Sequence, residues 1–272
     1  MAQKLVIPHS RPTLDESDLL SVSKVIRSGR IVQGEVVEKF ENKVAKYIGV
    51  DGAVAMNTGT SALHLSLLAI GIKEGDYVAM PSFVCTALLN AVRYVGAHPT
   101  LVDIDPETYN IDIRDLKKRV KKSTKAIILP HLFGLPADID EIVSLGIPVI
   151  EDCAQAIGAV YKGRKVGSFG KLSCFSFYAT KVLSTGEGGM VVSDSKSLLK
   201  KIRDFRDYDN KKNYTVRYNY KMTDIQAAMG IAQLKKLHSL LLKRANIAKK
   251  YSSILQGFCN APSIRYKRSE ER

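Results

Sequence analysis

The sequence has no long hydrophobic run and little cysteine, and both shortages narrow the class of protein. No apolar run approaches the roughly 18 residues of a membrane span, and Met1-Ala2-Gln3-Lys4 leads into no signal-peptide core. The four cysteines lie far apart and without the CxxC spacing of zinc and redox motifs: Cys85, Cys153, Cys174 and Cys259. We therefore expect a cytoplasmic protein with buried thiols, no membrane contact, no metal site and no disulfide scaffold.

Acidic residues are scarce beside basic ones. The chain of 272 residues has 41 Lys plus Arg against 27 Asp plus Glu, for a net charge of +14. Such an excess suits nucleic acid, a membrane surface or an anionic small molecule. The basic residues mostly fall in helix-like segments mixed with acids, such as 112–125 and 196–206, and aromatic residues are not interleaved among them for base stacking. We interpret the charge as a solvated basic surface, and a nucleic-acid partner is not expected.

Short strand-like segments alternate with helix-like segments along most of the chain. Strands are predicted at 53–56, 77–80, 100–105, 126–129, 147–150, around 175–177 and at 190–192. Helices are predicted at 15–26, 35–47, 62–69, 87–94, 112–121, 138–144, 195–208 and from 225 onwards. This alternation predicts an α/β fold with a mostly parallel sheet flanked by helices.

An acid and a lysine follow two of these strands. Asp152 comes directly after the strand at 147–150, and Lys181 follows the alternating residues Phe175 and Phe177 and precedes the glycine-rich stretch 186–189. Parallel α/β sheets present site residues at the carboxyl ends of their strands. A solvated loop lysine is the plain alternative. The pair is, however, what a pyridoxal phosphate enzyme needs, because the lysine holds the cofactor as a Schiff base and the carboxylate keeps its ring nitrogen protonated.

The segment Asn57-Thr58-Gly59-Thr60-Ser61 lies between the first predicted strand and a helix. Unpaired amides at the start of a helix, together with the helix dipole, favour a bound phosphate. An ordinary N-cap formed by Thr60 or Ser61 would explain the same residues. On the residues alone, both interpretations stay open.

Taken together, these segments resemble the DegT/DnrJ/EryC1/StrS family of nucleotide-sugar aminotransferases. The resemblance is carried by Ile150-Glu151-Asp152-Cys153-Ala154-Gln155, by Ser176-Phe177-Tyr178-Ala179-Thr180-Lys181 and by Gly186-Glu187-Gly188-Gly189, and it extends over about residues 10–237. It implies the PLP-dependent transferase fold type I, which resembles aspartate aminotransferase, with pyridoxal phosphate as cofactor. It also implies transfer of an amino group, with glutamate as the expected donor, to a nucleotide-linked keto-sugar.

The resemblance also implies roles for individual residues. Lys181 and Asp152 would be catalytic, and Gln155 would position the ring oxygen of the cofactor. The cofactor phosphate would be held by Gly59, Thr60, Ser61 and Ser176. In the family an asparagine matching Asn219 reaches the phosphate of the neighbouring subunit, which implies a homodimer with shared active sites.

The sequence departs from the family pattern at two places. Cys85 stands where many members carry an aromatic residue that stacks on the cofactor ring, and Phe83 or Tyr178 is a candidate to compensate. Members usually continue into a smaller C-terminal domain. We therefore expect a large cofactor-binding domain with a helical N-terminal segment over 1–240, and a helix with the start of a truncated C-terminal domain over 241–272.

Two further interpretations remain beside the aminotransferase. A related pyridoxal phosphate enzyme could eliminate water from a sugar, but dehydratases of this type lack the lysine that is present here as Lys181. A non-catalytic regulatory or DNA-binding relative is suggested by the charge of +14. His131, at the end of a strand, could be catalytic, but we expect a structural role for it.

Overall fold

The computed structural model describes residues 10–255, in which a central sheet is covered by helices on both faces. The strands of the main sheet are β1 (Gly52–Met56), β2 (Tyr77–Pro81), β3 (His98–Val102), β4 (Thr124–Pro130), β5 (Val149–Asp152), β8 (Leu172–Ser176) and β9 (Gly189–Ser193), and β6 (Val160–Tyr161) with β7 (Arg164–Lys165) forms a separate hairpin. The helices are α1 (Glu16–Ser28), α2 (Glu35–Ile48), α3 (Gly59–Ala69), α4 (Thr86–Tyr94), α5 (Ile113–Arg119), α6 (Ile139–Val143), α7 (Lys196–Arg206) and α8 (Asp224–Leu255), with a short 3-10 turn at Leu132–Gly134.

The order of strands across the sheet is β1-β9-β8-β5-β4-β2-β3. Strand β9 pairs antiparallel with both of its neighbours, and the pairs among β8, β5, β4, β2 and β3 are all parallel. The predicted α/β fold with a mostly parallel sheet is therefore confirmed. The carboxyl ends of the parallel strands meet at one edge, and β9 begins at that same edge.

Helices cover both faces of the sheet, which explains why β1 and β9 are mostly apolar and buried on both faces, whereas the edge strand β3 is fully buried only at Val102. Consecutive residues of β1 show the alternation, because Ala55 packs into the core under α2, α5, α6 and α8, while Val54 and Met56 pack into the core under α3, α4 and α7. The same alternation in β5 and β8 directs Asp152 and Ser176 to the side of α3.

Two boundaries differ from the predictions for local chemical reasons. Strand β3 ends at Val102 rather than 105, because Asp105 accepts hydrogen bonds from the amides of Glu107 and Thr108 and so forms a turn. Helix α3 begins at Gly59 rather than 62, because Thr58 is its N-cap.

Asp224 joins two elements that lie far apart in the sequence. Helix α2 begins after Gly34, which has no capping side chain, and Asp224 at the start of α8 supplies the missing acceptor. Its carboxylate accepts hydrogen bonds from the amides of Gly34 and Val37, each at 2.9 Å. Helix α8 is capped by Thr223, whose hydroxyl accepts from the amide of Gln226. Within residues 10–255, none of the helices has the length and apolar character that a membrane span requires.

The thiols are placed partly as predicted. Cys153 and Cys174 are buried, but the prediction is wrong for Cys85, which is exposed because it precedes α4 at the open edge of the sheet. Cys259 lies outside the described residues.

Candidate active site

A cavity of about 280 Å³ opens at the carboxyl edge of the sheet. It brings together most of the residues that the sequence singled out, namely Gly59, Thr60, Cys85, Asp152, Gln155, Ser176 and Lys181. Ser61 and Asn219 do not line it. The walls also contain His131, Tyr178, Thr58 and Glu187 among other residues. The topology explains the convergence, because β1, β2, β5 and β8 all end at the edge where β9 begins, and each of these residues lies at or after one of those ends.

One end of the cavity is formed by the first turn of α3. The side chain of Thr58 accepts a hydrogen bond from the amide of Ser61 at 3.0 Å, so the cap is Thr58 and not Thr60 or Ser61. The Ser61 hydroxyl donates to the side-chain oxygen of Asn57 at 2.7 Å and so supports this cap. Among the described residues no hydrogen-bond partner is recorded for the amides of Gly59 and Thr60. These amides, at the positive end of the helix, suit an anion.

Two glycines allow the backbone to converge at this end. A Cβ atom added to Gly59 would lie 2.9 Å from Cβ of Ser176, and one added to Gly189 would lie 2.2 Å from the carbonyl oxygen of Thr58. Both distances are too short for real Cβ contacts, so these positions accept only glycine at this backbone geometry. The Ser176 hydroxyl is thereby held beside the start of α3, and the two together form a cradle that fits a phosphate group.

Asp152, half-buried at the end of β5, forms the floor of the cavity. One carboxylate oxygen accepts a hydrogen bond from the amide of Ala154 at 3.0 Å, and the other has no hydrogen-bond partner among residues 10–255. Burial raises the pKa of Asp152, and the Ala154 amide and the positive charge of Lys181 oppose that rise only in part. A buried carboxylate with one oxygen unpaired fits a cationic partner such as a protonated ring nitrogen.

Lys181 projects into the same cavity from the loop between β8 and β9, as the sequence predicted. The loop is fixed by backbone hydrogen bonds from Lys181 to Tyr178, from Thr185 to Phe177 and from Phe177 to Gly188, each at 2.9 Å. The side chain is half-buried. A lysine on a fixed loop reaches the cavity in a defined position, which a covalent attachment requires.

The geometry determines the orientation of the Gln155 side-chain amide. Its oxygen accepts a hydrogen bond from the amide of Phe133 at 2.9 Å, because a backbone N–H can only donate. The NH₂ group of Gln155 is therefore left to act as a donor toward the cavity that Gln155 lines. This orientation fits the predicted contact with an oxygen of the cofactor ring.

His131, in the wall of the cavity, forms a buried pair with Glu151. His131 accepts a hydrogen bond at Nδ1 from the amide of Ala137, so Nε2 carries the proton and donates to Glu151 at 3.0 Å. Glu151 also accepts from the amides of Gly167, Phe169 and Gly170 and from the Ser173 hydroxyl. Burial alone would raise the pKa of Glu151, but these hydrogen bonds lower it to about 2.

Glu151 therefore fastens the loop 167–170 to β5. This geometry supports the structural role expected for His131. Cys153 lies within 4.8 Å of the same pair, but the ring nitrogens of His131 and both Glu151 oxygens already have protein partners, so the group is a hydrogen-bonded cluster.

Of the two aromatic residues that could replace the ring missing at Cys85, Tyr178 lines the cavity and Phe83 does not. The ring of Phe83 lies 6.2 Å from that of Tyr109. Thr58 and Glu187, which the sequence analysis named only within motifs and without a role of their own, also line the cavity. The position of Thr58 directly before the glycine that begins α3 is a signal that could have identified it.

Asn219 is exposed on an extended segment held on both sides. The amides of Tyr218 and Tyr220 donate to the carbonyl oxygens of Phe205 and Arg206, and the amide of Asn57 donates to the carbonyl oxygen of Tyr220. The Asn219 side chain lies between these anchored residues and is exposed. Its predicted role in a neighbouring subunit stays a prediction.

Comparison with known proteins agrees with this site. Residues 12–271 match the model of the DegT/DnrJ/EryC1/StrS aminotransferase family. GDP-perosamine synthase from Escherichia coli O157:H7 is 40% identical over 255 residues, a match that covers 90% of this chain and 70% of that protein. Among solved structures, the aminotransferase TlmJ from Streptoalloteichus hindustanus has a TM-score of 0.90 at 30% identity and covers 96% of this chain and 75% of that chain.

A Streptococcus pneumoniae protein described as a sugar aminotransferase, Spr1654 in its PLP form, has a TM-score of 0.88 at 29% identity, with 92% of this chain and 72% of that chain covered. The family model alone matches nearly the whole chain, and the geometry of the cavity is consistent with it. This chain therefore belongs to the DegT/DnrJ/EryC1/StrS aminotransferase family.

Proposed function

We propose that this protein uses pyridoxal phosphate to transfer an amino group, from glutamate, to a nucleotide-linked keto-sugar. The observation that carries the proposal is the convergence of Lys181, Asp152 and the first turn of α3 on one cavity. The similarity to GDP-perosamine synthase supports a substrate of the nucleotide-sugar class. The PLP form of a solved relative supports the cofactor.

Different residues of the cavity would bind different parts of the cofactor. The amides of Gly59 and Thr60 and the hydroxyl of Ser176 would bind its phosphate. Gln155 would donate a hydrogen bond to its ring oxygen, and Tyr178, which lines the cavity, would contact its ring. Ser61 acts on the same phosphate through the cap that it supports.

Two residues would perform the chemistry. Pyridoxal phosphate, when bound, supplies an electron-accepting ring on which the amino group is held between the two halves of the transfer. Asp152 would hold positive charge at the ring nitrogen, since its free oxygen lacks another partner. Lys181 would attach the cofactor through Nζ, and the same nitrogen, as a free amine, is the base placed to accept and return a proton.

The homodimer, the glutamate donor and the cytoplasmic location belong to this proposal. The dimer is supported by Asn219, which is exposed between two anchored tyrosines and does not line the cavity of its own chain. A side chain presented in this way is suited to reach a second subunit.

The test begins with the cofactor. Protein mixed with pyridoxal phosphate is expected to gain a visible absorption band that Lys181→Ala abolishes and that the control Lys196→Ala, on the exposed face of α7, retains. Borohydride reduction followed by peptide mass mapping should place the label on Lys181. A label on another lysine would contradict the assignment. Mass spectrometry of products from a panel of nucleotide-linked keto-sugars then identifies the acceptor.

A further inference from the structure

We propose that His64 is a positioning residue for the phosphate cradle and that it acts through a hydrogen bond to Tyr220. The cradle is the one formed by the first turn of α3 together with Ser176. His64 does not line the cavity, so its effect on a ligand there passes through other residues. The inference rests on the proposed function, because the expected ligand of the cradle is the phosphate of the proposed cofactor.

The His64 side chain is enclosed by tyrosine rings. It is 3% exposed, and the rings of Tyr94, Tyr218 and Tyr220 contact it edge-on, with centroids at 5.5, 4.8 and 5.9 Å. Nδ1 lies 3.3 Å from the Tyr220 hydroxyl, and Nε2 is buried without a hydrogen-bond partner among residues 10–255. Burial lowers the pKa of His64 to about 4, so the ring is neutral at pH 7.

Packing alone does not explain a histidine at this position. A buried nitrogen without a partner costs free energy, and an apolar side chain would avoid that cost. The neighbouring residues Leu63, Leu65 and Leu67 of α3 are apolar and buried. What the imidazole offers and an apolar side chain lacks is the hydrogen bond to Tyr220.

Tyr220 connects His64 to the start of α3. Its carbonyl oxygen accepts a hydrogen bond from the amide of Asn57 at 2.9 Å. The side-chain oxygen of Asn57 accepts from the Ser61 hydroxyl, and the Ser61 amide donates to Thr58, the N-cap of the helix. Tyr220 is thus held at its hydroxyl by His64 and holds Asn57 at its carbonyl. Helix amides that are already fixed bind a phosphate more tightly, because less conformational freedom is lost on binding.

The segment around Tyr220 is also held to a second helix. Its ring stacks on that of Tyr218, with centroids 5.0 Å apart and planes 14° apart. The amides of Tyr218 and Tyr220 donate to the carbonyl oxygens of Phe205 and Arg206 in α7. The contact with His64 therefore joins a segment that is fastened to α7 with the helix that presents the cradle. We infer that the cradle is pre-arranged by this connection.

The test compares pyridoxal phosphate with pyridoxal, which has the same ring and aldehyde but no phosphate. Dissociation constants of both are measured on the full chain by absorbance. His64→Phe keeps a ring without the nitrogens, and Tyr220→Phe removes only the hydroxyl. Each should weaken pyridoxal phosphate binding by about three- to tenfold, the range that one hydrogen bond contributes, and leave pyridoxal binding unchanged. The double variant should bind no more weakly than either single variant, because both changes remove the same bond.

Two matched controls should leave both affinities unchanged. His98→Phe alters an exposed histidine of β3 that contacts the ring of Tyr77 outside the cavity. Tyr94→Phe removes a hydroxyl from another ring that contacts His64 and leaves the Nδ1 bond intact. Hydrogen exchange without cofactor, followed by mass spectrometry, should be faster in the peptide containing residues 57–61 in His64→Phe and Tyr220→Phe only.

The outcomes separate this inference from the proposed function. Additive losses in the double variant, or equal losses of affinity for pyridoxal phosphate and pyridoxal, would show that His64 only packs the fold, and the proposed function would stand. Unchanged affinity in Tyr220→Phe would overturn the inference as well, even if His64→Phe does not fold. A wild type that forms no absorption band with pyridoxal phosphate would contradict the proposed function, and with it the inference.

Discussion

The Asp152 carboxylate has one oxygen available for a cationic partner. Its pKa is raised because burial disfavours the charged form more than the amide of Ala154 and the charge of Lys181 favour it. A cation against its unpaired oxygen would remove that cost. The carboxylate therefore has a reason to bind a positively charged ring nitrogen, and its charge is the property that matters for catalysis.

We expect Asp152→Asn to retain pyridoxal phosphate but to lower turnover by about 10²- to 10³-fold, because an amide cannot supply the negative charge. Absorbance of the bound cofactor and steady-state rates with a nucleotide-linked keto-sugar measure the two effects separately. Asp51→Asn, at an exposed aspartate remote from the cavity, is the matched control. An Asp152→Asn variant with full activity would rule out the role.

At the scale of elements, Glu151 connects parts of the chain that local sequence does not relate. It lies on β5 and binds the amides of the loop 167–170, the hydroxyl of Ser173 on β8 and the imidazole of His131 after β4. These contacts brace the strand end that carries Asp152. The buried carboxylate is stable there only because each of its oxygens has donors.

This pairing predicts a specific dependence of stability on pH. The pKa of Glu151 falls from 4.5 to about 2 on folding, so its contribution is present above pH 4.5 and is lost as the pH falls toward 2. Glu151→Gln should lower the free energy of unfolding at pH 7 by about 2–3 kcal/mol, because hydrogen bonds to a buried charged group are lost. It should also make the fall in that free energy between pH 4.5 and 2 shallower.

Urea unfolding across this pH range measures both effects. Glu141→Gln is the matched control, because the Glu141 side chain is 56% exposed in its ion pair with Lys117. It should leave the stability curve close to that of the wild type. If Glu151→Gln has the same free energy of unfolding as the wild type at every pH, the buried pair does not stabilise the fold.

At the scale of the whole molecule, the predicted dimer can be tested by mixing variants. If Asn219 serves the partner's site, a heterodimer of Lys181→Ala and Asn219→Ala chains contains one site with both residues intact. Random pairing of equal amounts should then restore about a quarter of the wild-type activity. Activity assays after subunit exchange, followed with labelled chains, measure the recovery. No recovery in an exchanged mixture would remove Asn219 from the shared site.

The division of the chain at residue 240 remains a prediction. In the structure α8 continues through that position as one helix from Asp224 to Leu255. Its first half packs on α1 and α2, and its second half borders a surface cavity that Phe133 and Arg244 also line. The helix therefore crosses the predicted boundary without a break.

The sequence by itself determined the order of strands and helices along the chain and the mostly parallel sheet. It also identified Asp152 and Lys181 as the candidate catalytic pair. These features depend on local patterns, because apolar periodicity specifies an element and the carboxyl ends of parallel strands necessarily share one edge. The motifs that contain Gly59, Gln155 and Ser176 could also be found in the sequence, since each lies at or just after the end of a predicted strand. The resemblance to the family added the roles of these residues.

Only the tertiary structure decided how distant residues meet. In the folded protein β9 is antiparallel to its neighbours, and Asp224 lies at the N-terminus of α2. The Gln155 oxygen accepts from the Phe133 amide, and the Glu151 carboxylate accepts from donors in three segments. Each contact joins residues that no periodic pattern links. Their partners are selected by burial, which obliges every enclosed polar group to find a hydrogen bond wherever the chain offers one.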